Sequence, residues 1–211
     1  MTPDAVARTV VIMTKAPMPG RSKTRLCPPL TPTQAAAVAE AALIDTLAAV
    51  AASGAARTVV ALEGEPGPWL PDGFEVIEQQ GDGLDERLAA AFAMVGEPAV
   101  IIAMDTPQVS PAQLDRALSS LDTFDTVLGP TGDGGYWCIG LRAIGVDPVT
   151  GVPMSRPDTM EHQWARIAEL GLSCALVEEL IDVDDIDDAR TVARLIPGSA
   201  FARCLGPLLS T

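Results

Sequence analysis

The chain is short of the residues that most often carry chemistry unaided. Its 211 residues include one histidine, His162, and only two lysines, Lys15 and Lys23. His162 falls on a helix-spaced stretch and reads as structural. Cys27, Cys138, Cys174 and Cys204 are scattered, with no CxxC pair and no histidine cluster. They read as reduced thiols of a cytoplasmic protein rather than zinc ligands. Aromatic residues make up 4% of the chain, so Ala, Val, Leu and Ile must build its core. Positive charge is also scarce. A formal net charge of −14 argues against nucleic acid or an anionic membrane as the main partner. The first eight residues lack the apolar run of a signal peptide, and no apolar stretch is expected to reach the length of a membrane span. The length suits a single domain over residues 1–211, with a core at about 8–195 and a tail from 196.

What basic charge there is collects in one place. Four of the 14 Lys and Arg residues, Lys15, Arg21, Lys23 and Arg25, lie within eleven positions that hold both lysines. The run Val10-Val11-Ile12-Met13 before them is apolar and β-branched, as a buried parallel strand is. Pro17, Pro19 and Gly20 break regular structure, so the cations sit on an exposed loop leaving the strand's carboxyl end. Ligands of open α/β sheets bind at that end. A cationic loop there, on an acidic protein, points to a polyphosphate. A solvated loop that balances nearby carboxylates is the plainer reading of the same charges. A P-loop is excluded, because Ser22 stands where the Walker pattern requires glycine before Lys23.

Strand-like and helix-like stretches alternate from Arg8 onward. Strands are expected at 8–14, 58–62, 74–79, 99–104, 126–128, 136–141 and 174–177. Helices are expected from the Thr31-Pro32 cap to about Ala52, at 84–95, from the Ser110-Pro111 cap to about Leu121, at 158–170, and up to about Leu195. This predicts an α/β fold: a Rossmann-like, mostly parallel sheet with helices on both faces. The stretch after Pro197 shows no strong pattern.

Three acidic stretches complete the candidate site. Asp105 follows six apolar strand residues and so falls at the ligand edge, where a cation such as magnesium would bridge it to phosphate. The alternative is a cap for the helix near Ser110. Five aspartates crowd positions 182–188. Asp185, Asp187 and Asp188 suit a helix start. Asp182 and Asp184 alternate around Val183 and either share a metal or form an acidic surface turn. An EF-hand is excluded, because its glycine and its twelfth-position glutamate are missing. Gly132-Asp133-Gly134-Gly135-Tyr136 fits either close approach to a ligand or a tight hairpin turn.

In order, these motifs resemble the nucleotide-diphospho-sugar transferase superfamily, with its glycosyltransferase-A fold. The resemblance rests on Lys15-x-Pro-x-Pro-Gly20-x-x-Lys23-Thr24-Arg25-Leu26, Asp105-Thr106-Pro107, Val127-Leu-Gly-Pro130 with Asp133-Gly134-Gly135-Tyr136, and Asp182-Val183-Asp184. It covers about residues 8–195. Within the superfamily the chain is most similar to a bacterial family often labelled glycosyltransferase, itself similar to the molybdenum-cofactor and 2-phospho-lactate guanylyltransferases. The resemblance implies that Lys15, Gly20, Lys23, Thr24 and Arg25 bind nucleotide, with Lys23 and Asp105 catalytic. It implies that Asp105, Asp182 and Asp184 hold Mg2+ or Mn2+, and that Asp133, Gly134, Gly135, Tyr136 and Ser155 face the acceptor. Met154-Ser155-Arg156-Pro157 departs from the family's usual Trp-Ser-Thr-Pro, and Asp185 replaces the usual threonine.

The expected function is metal-dependent transfer of an NMP from a nucleoside triphosphate to a small phosphorylated or hydroxyl acceptor, with release of pyrophosphate. Glycosyl transfer from a nucleotide sugar is the alternative on the same carboxylates; a non-catalytic nucleotide-binding module is the third. A homodimer is a further expectation.

Overall fold

The computed structural model describes residues 8–96, 98–142 and 145–209. The apolar run at the start forms strand β1 (Thr9–Lys15), buried except at Lys15. On one side β1 pairs in parallel with β2 (Arg57–Glu63), which pairs in parallel with β3 (Glu75–Glu78). On the other side it pairs in parallel with β4 (Ala99–Ala103). The next pairing reverses direction. β6 (Tyr136–Leu141) lies antiparallel between β4 and β5 (Thr126–Pro130), and β7 (Cys174–Leu176) closes the edge parallel to β5. The sheet order is β3-β2-β1-β4-β6-β5-β7. Its mostly parallel character matches the expectation from alternating strands and helices. The antiparallel β6 arises because a short turn, rather than a helix, joins β5 to β6.

This topology gathers the candidate residues. The carboxyl ends of β1, β2, β3, β4, β5 and β7 all open on one sheet edge, and β6 begins there. Alternate β1 residues serve opposite layers, as a strand's two-residue period requires. Val10 and Ile12 pack on Leu43 and Leu47 of α1 (Pro32–Ala51) and Leu114 and Leu118 of α3 (Pro111–Ser120). Val11 and Met13 face Leu88 and Phe92 of α2 (Leu84–Val95) and Ile167 of α4 (Thr159–Glu169). The caps read in the sequence form: Thr31 and Ser110 each accept from a backbone N–H three residues on, with glutamine completing both capping boxes.

Two expectations are corrected here. The stretch after Pro197 is helical. Following α5 (Ile186–Leu195), α6 (Ala200–Leu208) starts at the Ser199 cap and packs Phe201 and Leu205, both fully buried, into a third core. Asp45 of α1 fastens it by accepting from Ala200 N (2.9 Å) and Phe201 N (2.7 Å). Gly206 and Pro207 masked this helix in the sequence, since neither favours one. The second correction concerns α1. Within its 20 residues, an 18-residue window with a mean hydropathy of 1.4 meets the length and composition of a membrane span. Here, 61% of that span is buried inside the protein. One side of α1 meets the sheet through Leu43 and Leu47, and another meets α5 and α6 through Ala35, Val38 and Ala42. A helix covered on two sides has to be apolar nearly all round.

Candidate functional site

A cleft of about 570 Å3 opens on the carboxyl edge of β1 and β4. Lys15, Arg21, Lys23, Arg25 and Arg87 line it together with Asp82, Asp105 and Asp184. Each of the five cations already has a carboxylate partner.

Glu63, the last residue of β2, holds three of them. Lys15 Nζ lies 3.3 Å and Arg21 Nη2 3.2 Å from its two carboxylate oxygens, and Arg87 of α2 completes the set. The Arg87 guanidinium, followed by Lys15, holds the Glu63 carboxyl below its ordinary range. Gln79 locks the neighbouring strand ends by donating to Thr14 O (2.8 Å) and Ala61 O (2.9 Å), while its own carbonyl accepts from Arg87 (3.3 Å). Sequence reasoning missed Glu63, Gln79 and Arg87. Glu63 was within reach, since it closes an apolar strand just as Asp105 does. Arg87 gave no signal, because one arginine on an amphipathic helix looks like solvated surface.

Lys23 differs from its neighbours and from the exposed loop position expected of it. Its side chain is only 9% exposed, with Nζ 2.6 Å from Asp105 Oδ1, and it also donates to Val183 O. The loop turns at Gly20, whose φ of +76° suits glycine. Lys23 itself takes a left-handed φ of +48°. Ser155, with φ +58°, is the other described non-glycine residue with positive φ, and it lines the same cleft. Strained backbone of this kind gathers at ligand sites. Arg25, mostly exposed, sets Nη1 2.7 Å from Asp184 Oδ2. Thr24 also lines the cleft.

The acidic half is assembled by the chain after β7. Val177 N and Leu180 N bond to Leu128 O and Pro130 O, so this segment runs alongside the end of β5. Val183 N then donates to Asp105 O (3.0 Å). Val183 is wholly buried. Asp182 and Asp184 on either side of it come together with Asp133, the three offering carboxylate oxygens within 4.8 Å of one another. Asp105, expected in that set, is instead paired with Lys23. Asp185 caps α5, accepting from Asp187 N (2.8 Å) and Asp188 N (3.0 Å), as its position suggested. Asp105 is not a cap; Ser110 caps α3. One oxygen of Asp182 is buried with no hydrogen-bond partner among the described residues. Burial, then the nearby Asp105 charge, pushes its carboxyl up to about 7. Clustered carboxylates short of donors fit a hard divalent cation.

The acceptor-side residues divide. Ser155 faces the cleft, whereas Asp133, Gly134, Gly135 and Tyr136 are not on its wall. Residues 131–135 form the hairpin turn between β5 and β6, with Asp133 accepting from Thr131 Oγ1 and Gly135 N (3.1 Å). Gly134 has φ +89°, and a Cβ there would lie 1.9 Å from Pro157 O, so close packing requires glycine. The Tyr136 hydroxyl donates to Gln163 Oε1 (3.2 Å), and burial raises its pKa. Asp133 alone of the four joins a candidate site, as part of the acidic group. His162 lies 3.3 Å from Asp158 on the exposed face of α4.

The family model described as an uncharacterized protein conserved in bacteria (DUF2064) matches residues 34–156. The chain belongs to the DUF2064 family. It is 32% identical over 204 residues to a 3-phospho-D-glycerate guanylyltransferase of Phenylobacterium zucineum (strain HLK1), covering 90% of this chain and 92% of the relative. Among solved structures it superposes on a Desulfovibrio desulfuricans G20 protein described as a nucleotide-diphospho-sugar transferase. The TM-score is 0.88 and the identity 23%, over 96% of this chain and 95% of that one. A Mycobacterium tuberculosis H37Rv protein solved in complex with manganese matches at TM-score 0.51 and 20% identity, over 90% and 99% of the two chains. With the guanylyltransferase relative, these likenesses put the chain among nucleotide-dependent transferases.

Proposed function

We propose that this DUF2064 chain moves a guanylyl group from GTP to a small phosphorylated hydroxy acid of the 3-phosphoglycerate type, releasing pyrophosphate. The observation that carries this reading is the cleft itself, where five cations face the aspartates of β4 and of the segment after β7. A triphosphate carries about four negative charges and needs such a set of counter-charges. The relative's name supplies the base and the acceptor class.

In this reading Lys23 and Arg25 take the β- and γ-phosphates, and Lys15, Arg21 and Arg87 form the outer wall of the phosphate channel. Asp105, Asp182 and Asp184, with Asp133 beside them, hold Mg2+ or Mn2+. The buried unpartnered oxygen of Asp182 supports that fit, as does the neighbouring fold solved with manganese. When bound, the cation neutralises charge on the phosphate oxygens as the reaction proceeds. An oxygen of the acceptor's phosphate attacks the α-phosphorus; the bond from that phosphorus to the α,β-bridging oxygen breaks; pyrophosphate leaves. The side chains position the two anions and neutralise their charge, which is where most of the catalysis of phosphoryl-type transfer resides. Ser155, on the cleft wall, would contact the acceptor.

The test is pyrophosphate release from GTP with Mg2+ and 3-phospho-D-glycerate, with ATP, CTP and UTP in parallel. Release that requires both GTP and the acceptor is expected. Turnover of a nucleotide sugar without pyrophosphate would replace this reading with glycosyl transfer.

A further inference from the structure

Two carboxylates of the proposed metal site are already occupied by the chain's own cations. Lys23 Nζ sits 2.6 Å from Asp105 Oδ1, and Arg25 Nη1 sits 2.7 Å from Asp184 Oδ2. Asp182 has no such partner among the described residues, and one of its oxygens is buried without any. The two cations are held very differently. Arg25 has a side chain 71% exposed and one carboxylate contact. Lys23 is 9% exposed, starts from a left-handed backbone, and is tied to Val183 O as well as to Asp105. In the reading above the same residues take nucleotide phosphates, and a cation drawn toward phosphate loosens its hold on its carboxylate.

We propose that Lys23, assisted by Arg25, is an exchangeable internal counter-ion: it holds the place of the divalent cation on Asp105 until nucleotide phosphate draws it away. This rests on the metal and phosphate roles proposed above. An ammonium hydrogen-bonded to Asp105 fills the lone-pair direction that a metal would use, and its charge repels a second cation a few ångströms away. A triphosphate offers stronger anionic partners, so Lys23 turns to it and Asp105 is released to the metal, which bridges carboxylate and phosphate. Nucleotide and metal therefore assist each other's binding, and by linkage the assistance is equal in both directions. The nucleotide-free protein is thereby kept from retaining a tightly bound cation.

The experiment is a titration of the full chain with Mn2+, read by the paramagnetic resonance of free Mn2+ and by calorimetry, without nucleotide. Lys23→Met should bind Mn2+ about 10-fold more tightly than wild type, within the roughly 5–150-fold range of such couplings. Lys23→Gln, which keeps a donor for Val183 O, serves if the Met variant does not fold and should also bind more tightly. Lys15→Met removes an equal charge from the Glu63 cluster and should leave Mn2+ affinity unchanged. Equal affinity in wild type and both Lys23 variants overturns the exchange, as does equal tightening by Lys15→Met, which would mean only a general loss of positive charge. Repeating the wild-type titration with the α,β-methylene analogue of GTP separates this from the function itself. If no Mn2+ binds even then, the metal reading fails and the exchange with it. If Mn2+ binds with the analogue but Lys23 makes no difference without it, the exchange alone fails.

Discussion

Asp125 and Asp182 belong to the same β5–β7 half of the sheet but lie at opposite ends of it, and they live in opposite surroundings. Asp125, just before β5, accepts from Ser173 N (2.9 Å), Ser173 Oγ (2.6 Å) and Arg142, and the Ser173 hydroxyl leads in holding its pKa at about 2. Asp182, after β7, is half-buried with one buried, unpartnered oxygen, and its carboxyl is pushed up. At the amino end of the strands a carboxylate is supplied with donors and fastens two strands together. At the carboxyl end one is deprived of donors, although the fold could be more stable otherwise. The cation proposed above would give that oxygen the partner it lacks.

The comparison breaks most visibly at Asp182. Replacing it with Asn should lower kcat/KM for nucleotidyl transfer by about 1,000-fold, since metal charge stabilisation is worth several kcal/mol and each 1.36 kcal/mol is a decade. Stability should move the other way. An acid whose folded-state pKa is raised holds its proton more tightly when folded, so its ionisation weakens the fold as pH climbs from the ordinary carboxylate range through about 7. The Asn variant lacks that loss and should melt no earlier than wild type at pH 8, with an advantage that shrinks at pH 5. Melting clearly below wild type at pH 8 would show that Asp182 is a satisfied structural group after all.

Lys23 ranks next, because it joins the two kinds of surroundings. Lys23→Ala should weaken GTP binding by about 1.5–3 kcal/mol, the range for hydrogen bonds to charged groups. It should also lower unfolding stability by about 1–3 kcal/mol, because Asp105 and Val183 O lose their shared donor. An exposed loop lysine would show only the first effect. Calorimetric titration and urea unfolding of the same variant separate the two.

How legible this was depended on where each interaction lies along the chain. Strand–helix alternation and the Thr31-Pro32 and Ser110-Pro111 caps are local, and both fold layers could be read from them. The cationic loop and Asp105 stood out because the strands before them end abruptly, which fixes the edge they occupy. Asp182 and Asp184 were singled out through their alternation around Val183. Their junction with Asp133 depends on the segment after β7 running beside β5, and no short-range pattern records that pairing. The burial of Lys23 was invisible for the same reason, since its partners lie at Asp105 and Val183. The Gly134-Gly135 pair was ambiguous in the sequence because glycine serves close packing and ligand approach equally; Gly134 here packs on Pro157.

That last point gives a test of intermediate size. Gly134→Ala places a methyl 1.9 Å from Pro157 O on a backbone of φ +89°. Overpacking and a positive φ together should lower stability by about 2–4 kcal/mol. Thermal unfolding should show the loss without substrates present. Unchanged melting with a raised KM for the acceptor would instead move Gly134 from the packed turn to the acceptor site.

The smallest effect is expected at Asp125, and it checks the other side of the comparison. Its pKa is depressed in the folded protein, from an ordinary value near 3.8 to about 2. A group of that kind contributes its full stability above the unfolded value and loses it as pH falls through the folded one. Wild type should therefore lose this contribution between about pH 4 and pH 2. Asp125→Asn keeps the shape and cannot ionise, so its deficit against wild type should be constant above pH 5 and shrink steadily below pH 4. Urea unfolding midpoints of both proteins at pH 2.5, 3.5, 5 and 7 measure this, and the shared titration of all other acids cancels in the difference. Because a quarter of the Asp125 side chain remains exposed to solvent, salt should reduce the deficit further. A deficit that stays level down to pH 2.5 would mean that the Ser173 and Arg142 contacts give the ionised form no advantage, and the contrast with Asp182 would then rest on burial alone.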